Sequence, residues 1–500
     1  MQKYKSVDNV IQENSKKPID RRKLETMKID TLDTIGPLDG RYRKTVAPLA
    51  PIFGERGLIE RRAIVENQNL LALSDHNGIN KLRKFTAKEK RFLRLLHFRA
   101  RRNAHKVKQY EKGKKGRKGV KKTEHDVAAL VLYLREEMLR TSLHDTVGWM
   151  HFPLTSEDVN NIAYALQLRD GLEQIIIPAL EKVWQSWDAF AVTYDLLAML
   201  AATHGQPAPP TTLGKEFRVF AVRLGKKLDQ LRRHTISAKF NGATGTWGAH
   251  LSAFPKVDWP AFSRDFITSF NKGHHSVLLV PNLVTTQIEP HDTYGELFDL
   301  IKEIAVILVA FCQDVWQYIS DDWLIQKVAA GEVGSSTIPA KVNPITFENA
   351  EGNLLWLIGL CETLARVLPI SRRQRHLSDS TIIRNFGVAF GHCLQACVEI
   401  VRGMGKISPN PIQIRKDLRR HPEVTAEAVQ VILRREGIAN AYDQLKELTR
   451  GKKTTRAIMK KFVKNLRVKP SVKRELMAIT PMNYIGLAAQ IARRGQPLLK

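Results

Sequence analysis

Cysteines, long apolar runs and strand-like alternation are all scarce in this 500-residue sequence. The four cysteines are Cys312, Cys361, Cys393 and Cys397. They are too few for a disulfide framework, and the one-turn spacing of the last two favours buried thiols over a metal pair. No apolar run reaches the length of a membrane span, and no charged-then-apolar leader opens the sequence. We therefore expect a reducing, cytoplasmic location and no membrane partner.

Acidic residues are also few, since 50 Asp and Glu face 79 Lys and Arg and leave a net charge of +29. Residues 81–122 hold nineteen basic and two acidic residues, and residues 450–474 hold eleven basic and no acidic residues. Such runs can bind nucleic acid or an acidic surface, and they can also be solvated helix faces. Residues 112–122 lack aromatic side chains for base stacking, which favours a mobile basic loop or a steering field.

Apolar residues recur at helical spacing along most of the chain, which predicts an all-α fold. The clearest segments are 127–140, 159–180, 215–231 and 294–319. Thr155 and the acids after it resemble an N-cap that opens the second of these helices. The length of the central segments predicts a bundle of long helices.

The most informative segment is 334–353, which contains Gly-Ser-Ser-Thr-Ile-Pro-Ala-Lys-Val-Asn-Pro. Gly334 frees the backbone, and Pro339 and Pro344 exclude an ordinary helix through the segment. The sequence therefore predicts a polar loop between two apolar helices, a place where binding and catalytic groups often lie.

Four further polar clusters stand at predicted helix ends. Residues 203–207 are predicted to end a helix, residues 122–126 and 285–292 to precede helices, and His151 to lie just before Thr155. Each cluster alone would be read as a cap or a turn.

Together these clusters carry a resemblance to a known family. The segment at 334–344 resembles the signature loop of the fumarase/aspartase superfamily, with Ile338 in place of the usual Met. In order and spacing, the other motifs resemble adenylosuccinate lyase, closest to its bacterial-type form, from about Gly36 to Tyr484. These motifs are Asp39-Gly40-Arg41-Tyr42, Thr155-Ser156-Glu157-Asp158-Val159-Asn160-Asn161, Thr203-His204-Gly205-Gln206-Pro207, Asn241-Gly242-Ala243, Thr286-Gln287-Ile288-Glu289-Pro290-His291-Asp292, Phe347-Glu348-Asn349, Ser371-Arg372, Gln374-Arg375 and Asp379-Ser380-Thr381.

The resemblance implies a three-domain, all-α lyase with a central long-helix bundle, assembled as a homotetramer with shared active sites. We expect a loosely ordered extension at 1–30, an N-terminal helical domain at 31–144 with a basic insert near 112–122, the central bundle at 145–404, and a C-terminal helical domain at 405–500. The implied reaction releases fumarate from adenylosuccinate, giving AMP, and from the succinylated carboxamide ribotide SAICAR, giving AICAR. No metal or redox cofactor is implied.

The family's chemistry gives each motif residue a role. The proton to be removed is weakly acidic, so a base must act while donors stabilise the resulting aci-carboxylate. By resemblance Ser335 is the base and His204 the acid, with Lys341 and Asn343 holding negative charge and Glu348 orienting His204.

The resemblance also assigns a set of substrate-binding residues. Arginine forks among them suit a phosphate dianion. The set is Arg41, Tyr42, Glu124, His125, Asp126, His151, Thr155, Ser156, Gln287, Ser336, Asn343, Asn349, Arg375, Ser380, Thr381 and Arg384.

Departures from the family pattern leave alternatives open. Glu124 stands where the family usually has Asn, and Ala128 and Val131 stand where it often has Lys and Glu. One alternative is a catalytically impaired relative that binds nucleic acid or another acidic partner through its basic segments. Another is a lyase for fumarate, aspartate or argininosuccinate, which the Arg41-Tyr42 pair and the Arg375–Arg384 segment disfavour because those substrates lack a phosphate.

Overall fold

The computed structural model describes residues 30–113, 122–327, 341–451 and 454–494. The chain divides into two compact units, residues 1–47 and 48–500. The first unit contains the short helix α1 (Arg43–Val46), where Arg43 Nη1 donates to Asp39 Oδ1 at 2.7 Å. Residues 1–29 of the predicted extension, residues 114–121 of the basic insert and residues 334–340 of the signature segment lie outside the described residues. The division into three lyase domains stays a prediction.

The second unit is built mainly from helices. Its N-terminal part contains α2 (Ala50–Phe53), α3 (Glu55–Asp75), α4 (Ala87–Arg102), α5 (Ala104–Lys112), α6 (Asp126–Leu139) and a 3-10 turn at His144–Trp149. Its central part contains α7 (Ser156–Gly171), a π turn (Leu172–Ile176), α8 (Ile177–Thr193), β1 (Ala198–Thr203), β2 (Gln206–Thr212), α9 (Leu213–Arg232), β3 (Thr235–Ala238), α10 (Gly248–Ala253), α11 (Trp259–Ser269), β4 (Leu278–Pro281), α12 (Asp292–Ser320), β5 (Leu324–Gln326), α13 (Ile345–Val367), α14 (Ser378–Ile383) and α15 (Phe386–Met404). Its C-terminal part contains β6 (Ile407–Pro409), α16 (Pro411–Arg420), a 3-10 turn (Pro422–Thr425), α17 (Ala426–Arg435), α18 (Ala441–Thr449), α19 (Arg456–Asn465), α20 (Pro470–Ala478) and α21 (Ala488–Arg494).

Five long helices form the centre of this unit as a closed ring. Helix α8 packs on α9, α9 on α12, α12 on α13, α13 on α15, and α15 returns to α8. Aromatic side chains fill the space between them, with ring centroids of Trp187 and Phe311 4.2 Å apart and those of Phe190 and Phe217 4.1 Å apart. This bundle confirms the all-α, long-helix prediction.

Three of the four helices predicted from apolar spacing end within two residues of the predicted bounds, and the fourth, predicted at 159–180, continues to Thr193. Helices α6, α9 and α12 cover three of them, and the fourth runs through α7 and the π turn into α8. Thr155 is the N-cap of α7, and its N–H donates to Asp158 Oδ2 at 3.0 Å. All four cysteines are buried and free, as their apolar context predicts.

The prediction that residues 203–207 end a helix is wrong. Helix α8 ends at Thr193, and β1 and β2 form an antiparallel hairpin whose turn contains His204 and Gly205. Both residues have positive φ, 54° and 70°, the geometry of a tight two-residue hairpin turn. Pro207, Pro209 and Pro210 lack the N–H groups that a helix interior requires.

The prediction of a loop through residue 353 is also wrong in its second half. Helix α13 begins at Ile345, directly after Pro344, so residues 345–353 are helical. Proline excludes a helix before it but is well suited to starting one, because its fixed φ is close to the helical value and a helix start leaves N–H groups unpaired anyway. Among the described helices, none has the length and apolar character needed to cross a membrane.

Candidate active site

The predicted site residues of the second unit fall into several separate groups within one chain. The first surrounds Arg375, whose Nη1 lies 2.7 Å from Glu157 Oε2 and donates to Gln287 Oε1 at 3.3 Å. An open pocket of about 570 Å³ adjoins it and is large enough for a nucleotide-sized ligand. The pocket is lined by Ala243, Thr244, Gln287, Arg373, Gln374, Arg375, His376 and Leu377.

A buried hydrogen-bond chain connects this group to the start of α6. Asn160 Nδ2 donates to Glu157 Oε2 at 3.2 Å, and its Oδ1 accepts from Arg62 Nε at 2.8 Å. Arg62 Nη2 then pairs with Asp126 Oδ2 at 2.8 Å. Arg62 and Glu157 are both buried, so each charge depends on its partners rather than on water. This hydrogen-bond chain fixes the positions of the Arg375 and Asp126 side chains relative to each other.

His125 caps helix α6 through its ring. Its Nδ1 accepts from Ala128 N–H at 3.4 Å, and its Nε2 lies 3.3 Å from Ser156 Oγ. Burial raises the pKa of Asp126, but its pairing with Arg62 and the nearby Arg384 lowers it by more, so the side chain is a carboxylate at neutral pH. His125 and Ser156, which both belong to the predicted substrate-binding set, thus lie next to each other in the structure.

Arg384 bridges two acids at the edge of the same region. Its Nη2 lies 3.4 Å from Asp126 Oδ2, and its Nη1 lies 3.1 Å from Glu55 Oε2. Ser380 and Thr381 lie on α14 just before it, and Ser380 Oγ donates to Leu377 O at 2.9 Å. The guanidinium is about half exposed, and in this chain both of its terminal nitrogens face carboxylates.

His151 precedes α7 in a left-handed conformation with φ of 70°. Its Nδ1 lies 2.6 Å from Oε1 of the fully buried Glu66. Burial lowers the pKa of His151, but the Glu66 carboxylate raises it by more, so the pKa lies above its ordinary value. This histidine therefore has a larger protonated fraction at neutral pH than a free one.

A buried ion pair supports one wall of the pocket. Lys239 Nζ donates to Asp158 Oδ1 at 2.6 Å, and neither side chain is exposed. The backbone N–H groups of Asn241 and Gly242 donate to the same carboxylate at 3.1 and 3.2 Å. Asp158 thereby positions the turn that leads into the pocket residue Ala243, so the Asn241-Gly242-Ala243 motif has a structural explanation.

The start of α13 carries a further group. Lys341 is exposed, and Asn343 precedes Pro344. Glu348 Oε1 accepts from Trp316 Nε1 at 3.1 Å, and Asn349 Oδ1 accepts from Gln395 Nε2 at 3.3 Å. In one chain the carboxylate of Glu348 is thus engaged by an indole rather than by His204.

His204 lies apart from all of these groups, at the tip of the β1–β2 hairpin. Residues 202–207 are exposed, and within the described chain no hydrogen bond or ion pair joins His204 to another predicted site residue. Arg41 and Tyr42 lie in the first unit. Ser335 and Ser336 lie outside the described residues.

Glu124, which departs from the family pattern, is not part of the buried hydrogen-bond chain. It has φ of 52°, its side chain is 70% exposed, and it pairs with Lys122. The hydrogen bond and charge of Lys122 lower the pKa of its carboxyl, so the acid is ionised but has a cation beside it. Of the other two departures, Ala128 is half-buried and Val131 is buried in α6.

Of the connecting residues, Arg62 lies outside every sequence motif, whereas Glu157 and Asn160 belong to the Thr155–Asn161 motif but receive no role in the site from the resemblance. Arg62 lies in α3 beside Arg61 and among several acids, Asn160 follows a cap motif, and Glu157 is an acid of a first helical turn. The sequence signal for a buried charge in α3 is that charged residues occupy every face of this helix. Since one face must be buried, some of these charges, such as Arg62, lie in the interior.

Comparisons with known proteins agree over almost the whole length. The family model described as Lyase matches residues 40–359, and the model described as Adenylosuccinate lyase C-terminal matches residues 371–485. The adenylosuccinate lyase of Legionella pneumophila (strain Corby) is 41% identical over 469 residues, which cover 93% of this chain and 99% of that protein. The adenylosuccinate lyase of Escherichia coli (strain K12) is 40% identical over 464 residues, which cover 92% and 98%.

A solved structure confirms the fold. The crystal structure of a fumarate lyase from Mesorhizobium sp. BNC1 superposes with a TM-score of 0.69 at 17% identity, covering 89% of this chain and 96% of that one. At this identity the likeness concerns the fold alone. With matching family models and near-complete coverage of relatives at about 40% identity, the chain belongs to the adenylosuccinate lyase family of the fumarase/aspartase superfamily.

Proposed function

We propose that this chain catalyses β-elimination of fumarate from adenylosuccinate, giving AMP, and from SAICAR, giving AICAR. The observation that carries the proposal is the buried chain from Gln287 and Arg375 through Glu157, Asn160 and Arg62 to Asp126. It joins a pocket of about 570 Å³ that carries arginine side chains to the helix start that holds His125. Anion-binding and hydrogen-bonding groups therefore converge in the same region as the family's motifs.

The proposed reaction removes one proton from carbon, delivers one proton to nitrogen and breaks one C–N bond. A base removes the proton from the succinyl carbon next to the carbon bearing nitrogen, and its electron pair forms the double bond of fumarate. The C–N bond breaks, and an acid protonates the departing nitrogen. We assign the base to Ser335 and the acid to His204, with Lys341 and Asn343 stabilising the intermediate's negative charge and Glu348 orienting His204.

The same proposal includes a homotetramer with shared sites. His204 projects from an exposed hairpin, and Glu348 and Arg375 belong to different groups of the chain. Residues with complementary roles that lie apart in one chain can meet when copies associate. The proposed nucleotide substrate then binds between chains, and a cytoplasmic location stays a prediction.

Activity assays with matched variants test the proposal. Purified protein mixed with adenylosuccinate should release fumarate and AMP, and Ser335→Ala and His204→Gln should abolish this release. Ser252→Ala and His144→Gln change exposed residues of the same types and should retain activity. If the parent protein releases no fumarate from either substrate, the proposed activity is wrong.

Mixed oligomers test the shared site separately. Co-expressing Ser335→Ala with His204→Gln should restore activity, because some sites then combine an intact residue from each chain. Absence of activity in mixed tetramers of demonstrated composition would contradict shared sites and leave the lyase activity itself standing. The alternative of a catalytically impaired relative has no support in the comparisons, whose matched proteins are named as adenylosuccinate lyases.

A further inference from the structure

Seven exposed cations form what we call the C-terminal basic surface, on α19, on α20 and on the connection between them. In the described part of the chain, none of the seven makes an ion pair. They are Arg456, Lys460, Lys461, Lys464, Arg467, Lys469 and Arg474. The longer N-terminal basic run differs in part, because about half of its described cations have acidic partners, such as Arg83 with Glu89 and Arg101 with Glu60, whereas those at positions 88, 91 and 94 of α4 have none.

The packing of α19 forces these cations outward. Met459 and Val463 are buried in a local core with Leu445 and Leu476, so the opposite face of the helix is left to solvent. Arg456, Lys460 and Lys464 are spaced four residues apart on a stripe beside the buried face, where Arg456 and Lys460 line a small pocket together with Met459 and Val463. That spacing puts successive side chains on one face about 6 Å apart along the axis.

The row continues into a surface concavity of about 670 Å³. Arg467, Lys469 and Lys473 line it, and the Lys473 ammonium donates to Lys464 O at 2.6 Å. The acid in its lining, Glu436, pairs with Arg435, which also pairs with Glu475 of α20, so the lining carries three cations against one acid. The concavity therefore extends the positive field of the row rather than neutralising it.

We propose that the C-terminal basic surface binds the phosphate backbone of a nucleic-acid duplex. A row of unpaired cations is complementary to a regular line of phosphates, and binding of this kind is independent of sequence. Phe462, the aromatic residue of α19, is half-buried against the local core and presents no open face for an unstacked base. A duplex, whose bases remain stacked, is therefore favoured over a single strand.

Two other acidic partners fit this surface less well. A membrane-surface helix needs an exposed apolar face to insert, whereas Met459, Phe462 and Val463 of α19 pack into the local core and Ile458 is its one large exposed apolar side chain. Protein interfaces are depleted in lysine, and four of the seven cations are lysines. The proposal does not depend on the lyase activity, since none of these residues belongs to the candidate active site.

The salt dependence of duplex binding tests the proposal. Fluorescence anisotropy with 20-base-pair RNA and DNA duplexes of random sequence should show affinity for both that falls as salt rises. The slope of log K against log salt is about −0.9 per phosphate neutralised. The variant K460Q/K464Q/R467Q should therefore reduce the magnitude of this slope by about 2.7, since three contacts of about 0.9 each are lost.

The matched control is K88Q/R91Q/R94Q, which removes the same three charges from exposed positions on α4. It should leave the slope unchanged, and both variants should keep parental thermal stability and lyase activity. Equal loss in the two variants would show an effect of net charge and overturn the proposal. Absence of duplex binding at 50 mM salt would also overturn it, as would equal competition by polyglutamate or by anionic lipid vesicles.

Discussion

Glu157 Oε2 and Arg375 Nη1 lie 2.7 Å apart, and only 2% of the Glu157 side chain is exposed. The pair connects a buried network on one side to the open pocket on the other. A buried carboxylate that is satisfied by an asparagine and an arginine constrains the arginine strongly, because the arginine is its only charged partner among the described residues.

Glu157→Gln should therefore loosen Arg375 and weaken substrate binding. We expect KM for adenylosuccinate to rise about tenfold, which corresponds to about 1.4 kcal/mol, with a smaller change in kcat. Steady-state kinetics measure both constants. Glu303→Gln, the same change at an exposed glutamate paired with Lys227, should leave them near the parental values. An unchanged KM in Glu157→Gln would show that the pair does not position Arg375.

Glu124→Asn should lower KM. Asparagine tolerates the left-handed conformation found here, φ 52°, better than glutamate does, and it removes a negative charge from the approach of an anionic substrate. The expected gain is a few-fold at most, because the side chain is largely exposed and already has Lys122 beside it. Glu124→Gln removes the charge alone and separates the two causes. A higher KM in Glu124→Asn would contradict this explanation.

The helical framework is accessible from sequence because apolar spacing reports the buried face of each long helix. Helices α6 and α12 begin within two residues of their predicted starts for this reason. The β1–β2 hairpin is not accessible in the same way, since its prolines exclude a helix without specifying what replaces it. Proline also explains why a loop was wrongly predicted for residues 345–353. Pro344 ends the loop, and α13 begins directly after it.

The features of the candidate site also differ in whether they can be predicted from the sequence. Motif residues such as His125 and Ser156 could be named from the resemblance, and the structure places them as neighbours. The hydrogen bond between Arg62 and Asn160 could not be predicted, because it joins residues 98 positions apart in the sequence. Long-range pairing of buried polar groups has no local signature in a single sequence.

Glu66→Gln should lower the pKa of His151. In the parent, burial lowers this pKa but the Glu66 carboxylate raises it by more, above the ordinary value of 6.5. A histidine whose pKa is higher in the folded than in the unfolded state stabilises the folded protein when it is protonated. This stabilisation is fully present at pH values below the unfolded-state pKa, and it disappears as the pH rises through the folded-state pKa. The stability difference between parent and variant should therefore be larger at pH 6 than at pH 8.5.

Histidine NMR titrations and urea unfolding at the two pH values measure these effects. Glu303→Gln is the control, because Glu303 is an exposed carboxylate whose ion pair is with a lysine. It should leave the pH dependence of stability unchanged. A stability difference for Glu66→Gln that grows from pH 6 to pH 8.5 would contradict the assigned direction.

Asp158→Asn should be among the most destabilising conservative changes in the chain. It leaves the fully buried Lys239 ammonium without its counter-charge and weakens the hydrogen bonds that hold the Asn241–Gly242 turn. Removing one partner of a buried pair costs about 3–5 kcal/mol. Asp299→Asn is the matched control, because the Lys302–Asp299 pair has the same 2.6 Å separation but its Asp side chain is 57% exposed. Its loss should cost less than about 1 kcal/mol. Chemical denaturation compares the two variants, and equal losses would show that burial does not set the strength of the Asp158–Lys239 pair.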